Sequence, residues 1–373
     1  MIEELIKANC IKIGNFKLKN GEVSKYYYDM KNLISHPTLL KKVGDTIYNM
    51  LDDFDIICGI PYGALPIATY ISTQYNKPMI YIRDKVKNYG TEKLIEGEYK
   101  KEDRCVIIDD VITTGNSLEA EILKLQKEVT IVDIAVVFNR QQNPFCSMKF
   151  KAMLCKNDVT RYMLQHIKDV KKSNLIFSAD ISDMYMILTM LDKIGKYIVG
   201  CKIHYDIIRD WDESFSSKIT QLSIKHNFLI IEDRKFNDIS YIVSKQYERF
   251  RNWVDMVTVH SLVTPDVIKK LSGALIVANM SNNTYDFTSE AVSLAEECYN
   301  NVVGFITQRR IIMEGMVNMT PGIRTEKGSE DDQRYRNVGD VNTDFVIVGR
   351  AIYLGDLAGI EDRVKRILSL SQK

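Results

Sequence analysis

The chain has 373 residues, 45% hydrophobic and 27% charged, which supplies more than one packed core and excludes a disordered chain. Lys and Arg number 50 against 49 Asp and Glu, so a net charge of +1 gives no support to a nucleic-acid or membrane-surface binder. No apolar run approaches the ~20 residues of a membrane span, and the acidic start MIEELIKANCIK does not read as a secretory signal. Seven scattered cysteines without a C-x-x-C pair read as reduced core residues of a cytoplasmic protein, and five histidines, none paired at metal spacing, do not suggest zinc.

In chain order, Asp55–Ile60, Met79–Ile82, Cys105–Ile108 and Ile131–Phe138 are short Ile- and Val-rich runs. Helix-like stretches, Leu65–Gln74 and Ser117–Lys127, lie between them. The alternation predicts a mostly parallel sheet with helices on both faces, whose strands are buried on both sides and therefore continuously apolar. Within it stands VIIDDVITTGNS, Val106–Ser117: an apolar strand ends in Asp109 and Asp110, a Thr/Gly turn follows, and a helix starts. The amides around Gly115 and the hydroxyls of Thr113, Thr114 and Ser117 suit a phosphate at a helix N-terminus. The two carboxylates suit sugar hydroxyls or a hard cation beside it. The plainer alternative is a strand ending in an ordinary Asp/Thr cap.

A segment containing DVTRYMLQHIKDVKKSN follows and predicts one amphipathic helix, which sets the domain boundary at 157/158. Beyond it come candidate strands Asn174–Ser178, Tyr197–Lys202, Phe228–Glu232, Asp255–His260, Ala274–Ala278, Asn301–Ile306, Met316–Thr320 and Asp344–Val348. Eight strands with helical segments between most of them predict a compact (β/α)₈ barrel, with chemistry at the strand C-termini. Those ends carry Asp180, Lys202, Asp233 with Lys235, His260, Ser281 and Arg350. Alternation sets Asp233 and Lys235 on one side of an extended strand. A surface salt-bridge network is the alternative. His204 and His260 read as hydrogen-bonded strand-end residues rather than general bases, and Trp211, Trp253 and MYMILTM (184–190) as packing.

The first motif resembles the phosphoribosyl diphosphate (PRPP) site of type I phosphoribosyltransferases. GNFKLKNGEVSKYYYD, CGIPYGALPIAT and RDKVKNYGTEKLIEG narrow the resemblance to orotate phosphoribosyltransferases, over Asn15 to about Arg140. The resemblance implies that Lys19 and Arg83 contact the diphosphate of PRPP. Lys87 and Tyr89, on a closing loop, would steady the leaving group, Lys87 reaching across a dimer. Asp109, Asp110, Thr113, Thr114, Gly115 and Ser117 would hold the phosphoribosyl group, Tyr27 and Tyr28 would lie beside orotate, and Arg140 would face its carboxylate. Mg²⁺ would arrive with PRPP, without a dedicated protein ligand set. Two residues depart from the family: Asp84 stands where Lys is usual, and Asn139 where Asp precedes the arginine.

The second array, DRKFNDI with LIFSADIS, KIHYDI, ANMS, TPGIR, QRY and IVGRAI, resembles orotidine 5′-monophosphate (OMP) decarboxylases from about Asn174 onward. This implies that Asp180 and Lys202 hold the ribose, that Lys235 protonates C6, and that Asp233 sits near the departing carboxylate. Asp238 would come from a partner subunit. Ser281 would read the pyrimidine edge, and Gln333, Tyr335, Gly349 and Arg350 would grip the phosphate. No cofactor is implied. Ser240 and Ile242 replace the family's Gly and Thr, and Ile242 lacks a hydroxyl for the ribose. Asn279 stands where Glu is common.

A type I phosphoribosyltransferase fold (1–157) followed by a decarboxylase TIM barrel (158–373) is the arrangement of bifunctional UMP synthases. The resemblance implies a cytoplasmic homodimer with active sites shared between subunits, acting on orotate, PRPP and OMP without nucleic-acid or membrane partners. The alternative is decarboxylation alone, with a first domain that is impaired or only senses PRPP.

Overall fold

The computed structural model describes residues 1–17, 23–83, 94–140, 147–282, 285–325, 328–330 and 333–371. The chain divides into two compact units. One joins Met1–Ile13 to Tyr26–Lys156, and the other joins Gly14–Lys25 to Asn157–Lys373. The division passes through a two-stranded sheet of β1 (Ile11–Lys17) and β2 (Val23–Tyr28).

The first unit is built on six strands: β3 (Ile56–Gly59), β4 (Met79–Ile82), β5 (Ile95–Glu96), β6 (Arg104–Ile112), β7 (Thr130–Asn139) and β8 (Lys151–Cys155). Their order is β5-β4-β3-β6-β7-β8, and only β5 runs antiparallel to its neighbour. The central strands show the expected continuous burial: all of β3, Cys105–Asp109 of β6 and Asp133–Phe138 of β7. Such runs need cover on both faces. Helices Pro37–Met50, Leu65–Tyr75 and Asn116–Leu125 each contribute a buried apolar stripe.

The second unit closes eight parallel strands into a barrel: β9 (Leu175–Ala179), β10 (Gly200–Ile203), β11 (Leu229–Phe236), β12 (Met256–His260), β13 (Ala274–Val277), β14 (Val302–Ile306), β15 (Val317–Thr320) and β19 (Phe345–Val348). All eight coincide with the apolar runs of the sequence. Between β15 and β19 lies an unanticipated three-stranded sheet of β16 (Ile323–Arg324), β17 (Gly328–Glu330) and β18 (Gln333–Asn337). The expected amphipathic helix spans Lys156–Lys171 and is tied to the barrel. Asn157, fully buried, donates to the Asn300 carbonyl at 2.7 Å and accepts the Gly273 amide at 2.8 Å. The stretch 184–190 is helical, burying Met184, Ile187 and Met190 in the barrel's outer core. Trp211 and Trp253 pack in an aromatic group with Tyr205, Phe215 and Phe250.

The ladder between β11 and β12 is irregular. Glu232 pairs with Val257 and Phe236 with Val259, so three residues, 233–235, face Thr258 alone. Lys235 takes up the slack with φ +50°, left-handed backbone that a side chain other than glycine resists.

Among the described residues no helix is long and apolar enough to cross a membrane. Six of the seven cysteines are buried and none of the six forms a disulfide; Cys146 lies outside the described residues.

Candidate active sites

In the first unit, the C-terminal ends of β3, β4, β6 and β7 meet at one edge of the sheet, where open α/β sheets bind ligands. Asp109 is 9% exposed, and its Oδ1 accepts the Asp110 amide at 2.8 Å; Asp110 Oδ1 accepts the Val111 amide at 2.9 Å. Burial, reinforced by the Asp110 charge, pushes the Asp109 carboxyl up to about 7. The chain bends through Thr113, Thr114 and Gly115, whose φ of +87° suits glycine. The helix Asn116–Leu125 then places Ser117 in its first turn. Helix N-termini expose amides without intrahelical partners, which an anion can accept. Gly63 lets the turn after β3 approach: a Cβ there would lie 1.8 Å from Asp110 Oδ2.

Tyr28 of β2 stacks on Phe138 of β7 with ring centroids 3.9 Å apart, two residues before Arg140. The Arg140 amide donates to the Ile112 carbonyl at 2.9 Å, so Tyr28 and Arg140 stand beside the β6 turn. Tyr27 is exposed, with Lys12 Nζ 5.8 Å from its ring. Arg83 is ion-paired with Glu96, across the β4–β5 pairing. Lys19, Lys87 and Tyr89, with Asp84, lie outside the described residues. Among the described residues no group of three or more His, Cys, Asp or Glu is arranged to hold a metal ion.

In the second unit, a cavity of about 310 Å³ opens at the C-terminal ends of the barrel strands. Asp180, Lys202, Asp233, Lys235, Ser281, Tyr335, Gly349 and Arg350 all line it. Asp233 is the hub. Its Oδ2 pairs with Lys202 Nζ, and its Oδ1 lies 2.8 Å from Lys235 Nζ. Lys202 Nζ is also 3.6 Å from Asp180 Oδ1, which accepts the Ser178 hydroxyl at 2.8 Å. Burial alone would lower the Lys202 ammonium, but the charges of Asp233 and Asp180 overcome it and the net shift is upward. Burial opposes ionisation of Asp233, yet Lys202, His204 and Lys235 together hold its carboxyl well below the usual range. Gly349 packs against this group, where a Cβ would come within 3.1 Å of the Ser178 carbonyl.

The juxtaposition of Asp233 and Lys235 arises from the β11 irregularity, not from the alternation expected of an extended strand. Thr258 stabilises it: its hydroxyl donates to Asp233 Oδ1 at 2.8 Å and accepts the Lys235 amide at 2.9 Å. Asp238 is exposed on the loop after β11 and does not line the cavity of its own chain. Gln333 falls on β18, its side chain outside the described residues.

Thr258 was not legible as a site residue, and His204 belongs in the site. Its Nε2 lies 3.2 Å from Asp233 Oδ2 and 3.3 Å from Lys202 Nζ, and it lines the cavity. Its position two residues after Lys202 at a strand end was the available signal. Asn279 also lines the cavity. Its amide donates to Asp286 Oδ1 at 2.9 Å and accepts the Thr307 hydroxyl at 2.9 Å, a place that a carboxylate would fill badly beside Asp286.

These sites define a phosphoribosyltransferase domain followed by a decarboxylase barrel. A family model for the phosphoribosyl transferase domain matches residues 29–161, and one for the orotidine 5′-phosphate decarboxylase / HUMPS family matches residues 173–356. A uridine 5′-monophosphate synthase from Bos taurus is 30% identical over 94% of this chain and 92% of its own length. An orotate phosphoribosyltransferase from Pyrococcus abyssi is 41% identical over 38% of this chain and 83% of its own. An orotidine 5′-phosphate decarboxylase from Schizophyllum commune is 34% identical over 52% of this chain and 81% of its own. The chain belongs to the uridine 5′-monophosphate synthase family.

Proposed function

We propose that the chain converts orotate to UMP in two steps: phosphoribosyl transfer from PRPP to orotate, giving OMP and pyrophosphate, then decarboxylation of OMP without a cofactor. The observation that carries this reading is the Lys202–Asp233–Lys235 array with Asp180 in the barrel cavity. Loss of CO₂ leaves negative charge on C6. A fixed ammonium at Lys235 opposes that charge and then delivers a proton. Tyr335, Arg350 and the Gly349 backbone suit a phosphate at the cavity wall, with Gln333 as a further ligand, and phosphate binding there favours closure onto the base.

In the first unit, Asp109 and Asp110 suit the ribose hydroxyls of PRPP, and the 113–117 turn its 5′-phosphate. Tyr27, Tyr28 and Arg140 suit orotate. Mg²⁺ carried by PRPP would supply positive charge to the departing pyrophosphate. Lys19, Arg83, Lys87 and Tyr89 are assigned to that leaving group. The working form is a cytoplasmic homodimer whose Asp238 and Lys87 serve the partner's sites. The exposure of Ile239 (67%) and Tyr241 (65%) beside Asp238 supports a covered loop, and the buried thiols outside any disulfide support a reducing compartment. The functional boundary lies at 157/158.

The test supplies orotate, PRPP and Mg²⁺ to the purified protein and resolves the products. UMP formation supports both steps. Turnover of supplied OMP alone favours the second reading, a first domain that binds PRPP without transfer, toward which the Arg83–Glu96 pair points. No turnover of OMP refutes the decarboxylase assignment.

A further inference from the structure

Glu232 is fully buried, next to the hub Asp233 on β11, and has no role in the reaction as described. Both of its carboxyl oxygens lie 3.1 Å from one donor, the backbone amide of Tyr205. Tyr205 follows His204 directly and opens a single 3₁₀ turn, Tyr205–Ile207. Its ring is held edge-on to Trp211 at 4.3 Å and to Phe250 at 5.3 Å. The residue after His204 is thus fixed twice, by its ring and by its amide, and the imidazole is thereby aimed at Asp233 and Lys202.

We propose that Glu232 is a positioning residue of the decarboxylation site, a carboxyl that fixes the Tyr205 backbone and through it the imidazole of His204 against Asp233 and Lys202. This rests on the decarboxylase reading above. Ionised groups face Glu232 from three elements: Asp233 on its own strand, Lys202 on β10, and Asp206 in the 3₁₀ turn, itself 4.0 Å from Arg234. Burial dominates, and the carboxyl is pushed up to about 8. At neutral pH Glu232 is therefore an uncharged acid that satisfies an amide without adding charge. Above pH 8 it ionises, placing a second buried anion beside Asp233 with one facing ammonium to offset it. The Lys202–Asp233–His204 geometry depends on that balance, so the array loosens as alkali is added.

The experiment compares wild type with Glu232→Gln and Glu232→Leu, measuring OMP decarboxylation from pH 6 to 10, thermal unfolding, and the NMR titration of the His204 imidazole. Glutamine keeps an acceptor for the Tyr205 amide and cannot ionise. The expected result is a wild-type kcat that falls as pH passes about 8, while Glu232→Gln retains its neutral kcat within about threefold and lacks that step. Glu232→Leu leaves the amide unpaired and loses about 10- to 100-fold in kcat. The His204 ring signals move near pH 8 in wild type, reporting Glu232 ionisation, and do not in Glu232→Gln. An identical alkaline limb in wild type and Glu232→Gln overturns the proposal, as does full activity of Glu232→Leu. If Glu232→Leu does not fold, the Glu232→Gln profile decides alone. If wild type fails to turn over OMP, the underlying reading fails, and the His204 titration still tests the contact.

Discussion

Thr258→Val removes one hydroxyl from a fully buried position and keeps the shape of the side chain. Two hydrogen bonds go with it: the 2.8 Å bond donated to Asp233 Oδ1 and the 2.9 Å bond accepted from the Lys235 amide. A hydrogen bond to a charged acceptor contributes roughly 1.5–3 kcal/mol, and a neutral one about 1 kcal/mol. Asp233 retains Lys202, Lys235 and His204, so part of the first loss is recovered. The Lys235 amide sits in left-handed backbone that this bond helps to hold, so its loss frees the ammonium proposed above as the proton donor. A net loss of about 2.7 kcal/mol in the transition state corresponds to ~10²-fold in kcat/KM. The assay is OMP decarboxylation at saturating and limiting substrate, alongside thermal unfolding. Most of the loss belongs in kcat, because Thr258 touches Asp233 and Lys235 and not the residues proposed to grip the phosphate. Unchanged kcat in a stably folded variant refutes the role assigned to the β11 irregularity.

Asn279→Glu sets a second carboxylate against Asp286, now 2.9 Å from the Asn279 amide; KM for OMP rises about tenfold, and adding Asp286→Asn restores it in a double-mutant cycle. Gly63→Ala drives a methyl into Asp110 Oδ2, 1.8 Å away, so orotate transfer falls at least ~10²-fold while OMP decarboxylation by the same sample is unchanged. Asp233→Asn leaves the buried Lys202 with only the 3.6 Å contact to Asp180 to offset its charge and lowers unfolding stability by about 3 kcal/mol at pH 7, read by urea titration. The folded-state carboxyl of Asp233 lies well below its unfolded value, so its contribution is full above the unfolded value near pH 3.9 and fades as pH falls toward the folded one. The stability gap between wild type and Asp233→Asn therefore persists through pH 5 and narrows only below about pH 4.

Strands whose faces are both buried announced themselves. All eight barrel strands and the central strands of the first sheet overlap apolar runs of the sequence, although β11 continues beyond its run into Glu-Asp-Arg-Lys. What escaped was short or polar: β5 has two residues, and β18 reads Gln-Arg-Tyr-Arg-Asn, a surface pattern by composition. In the site, charges at strand ends were legible because a core has no use for them. Thr258 was not, since a threonine inside Met-Val-Thr-Val-His is an ordinary β-branched strand residue until its partner across the ladder is known. Glu232 was hidden beside Asp233, and His204 beside Lys202, each reading as an accompaniment to the stronger charge. The alternation argument reached the right neighbours by the wrong route, because a ladder irregularity leaves no mark in the residues of its own strand.

That irregularity also makes the length of β11 a functional quantity. Three residues share one partner on β12, so deleting two of them would give the barrel a more regular ladder. The same deletion would remove at least one member of the Asp233–Lys235 pair. Pressure for a tidier barrel and pressure for turnover therefore act on the same three positions in opposite directions. In this lineage, insertions and deletions should be tolerated on many connecting loops and forbidden between Glu232 and Phe236.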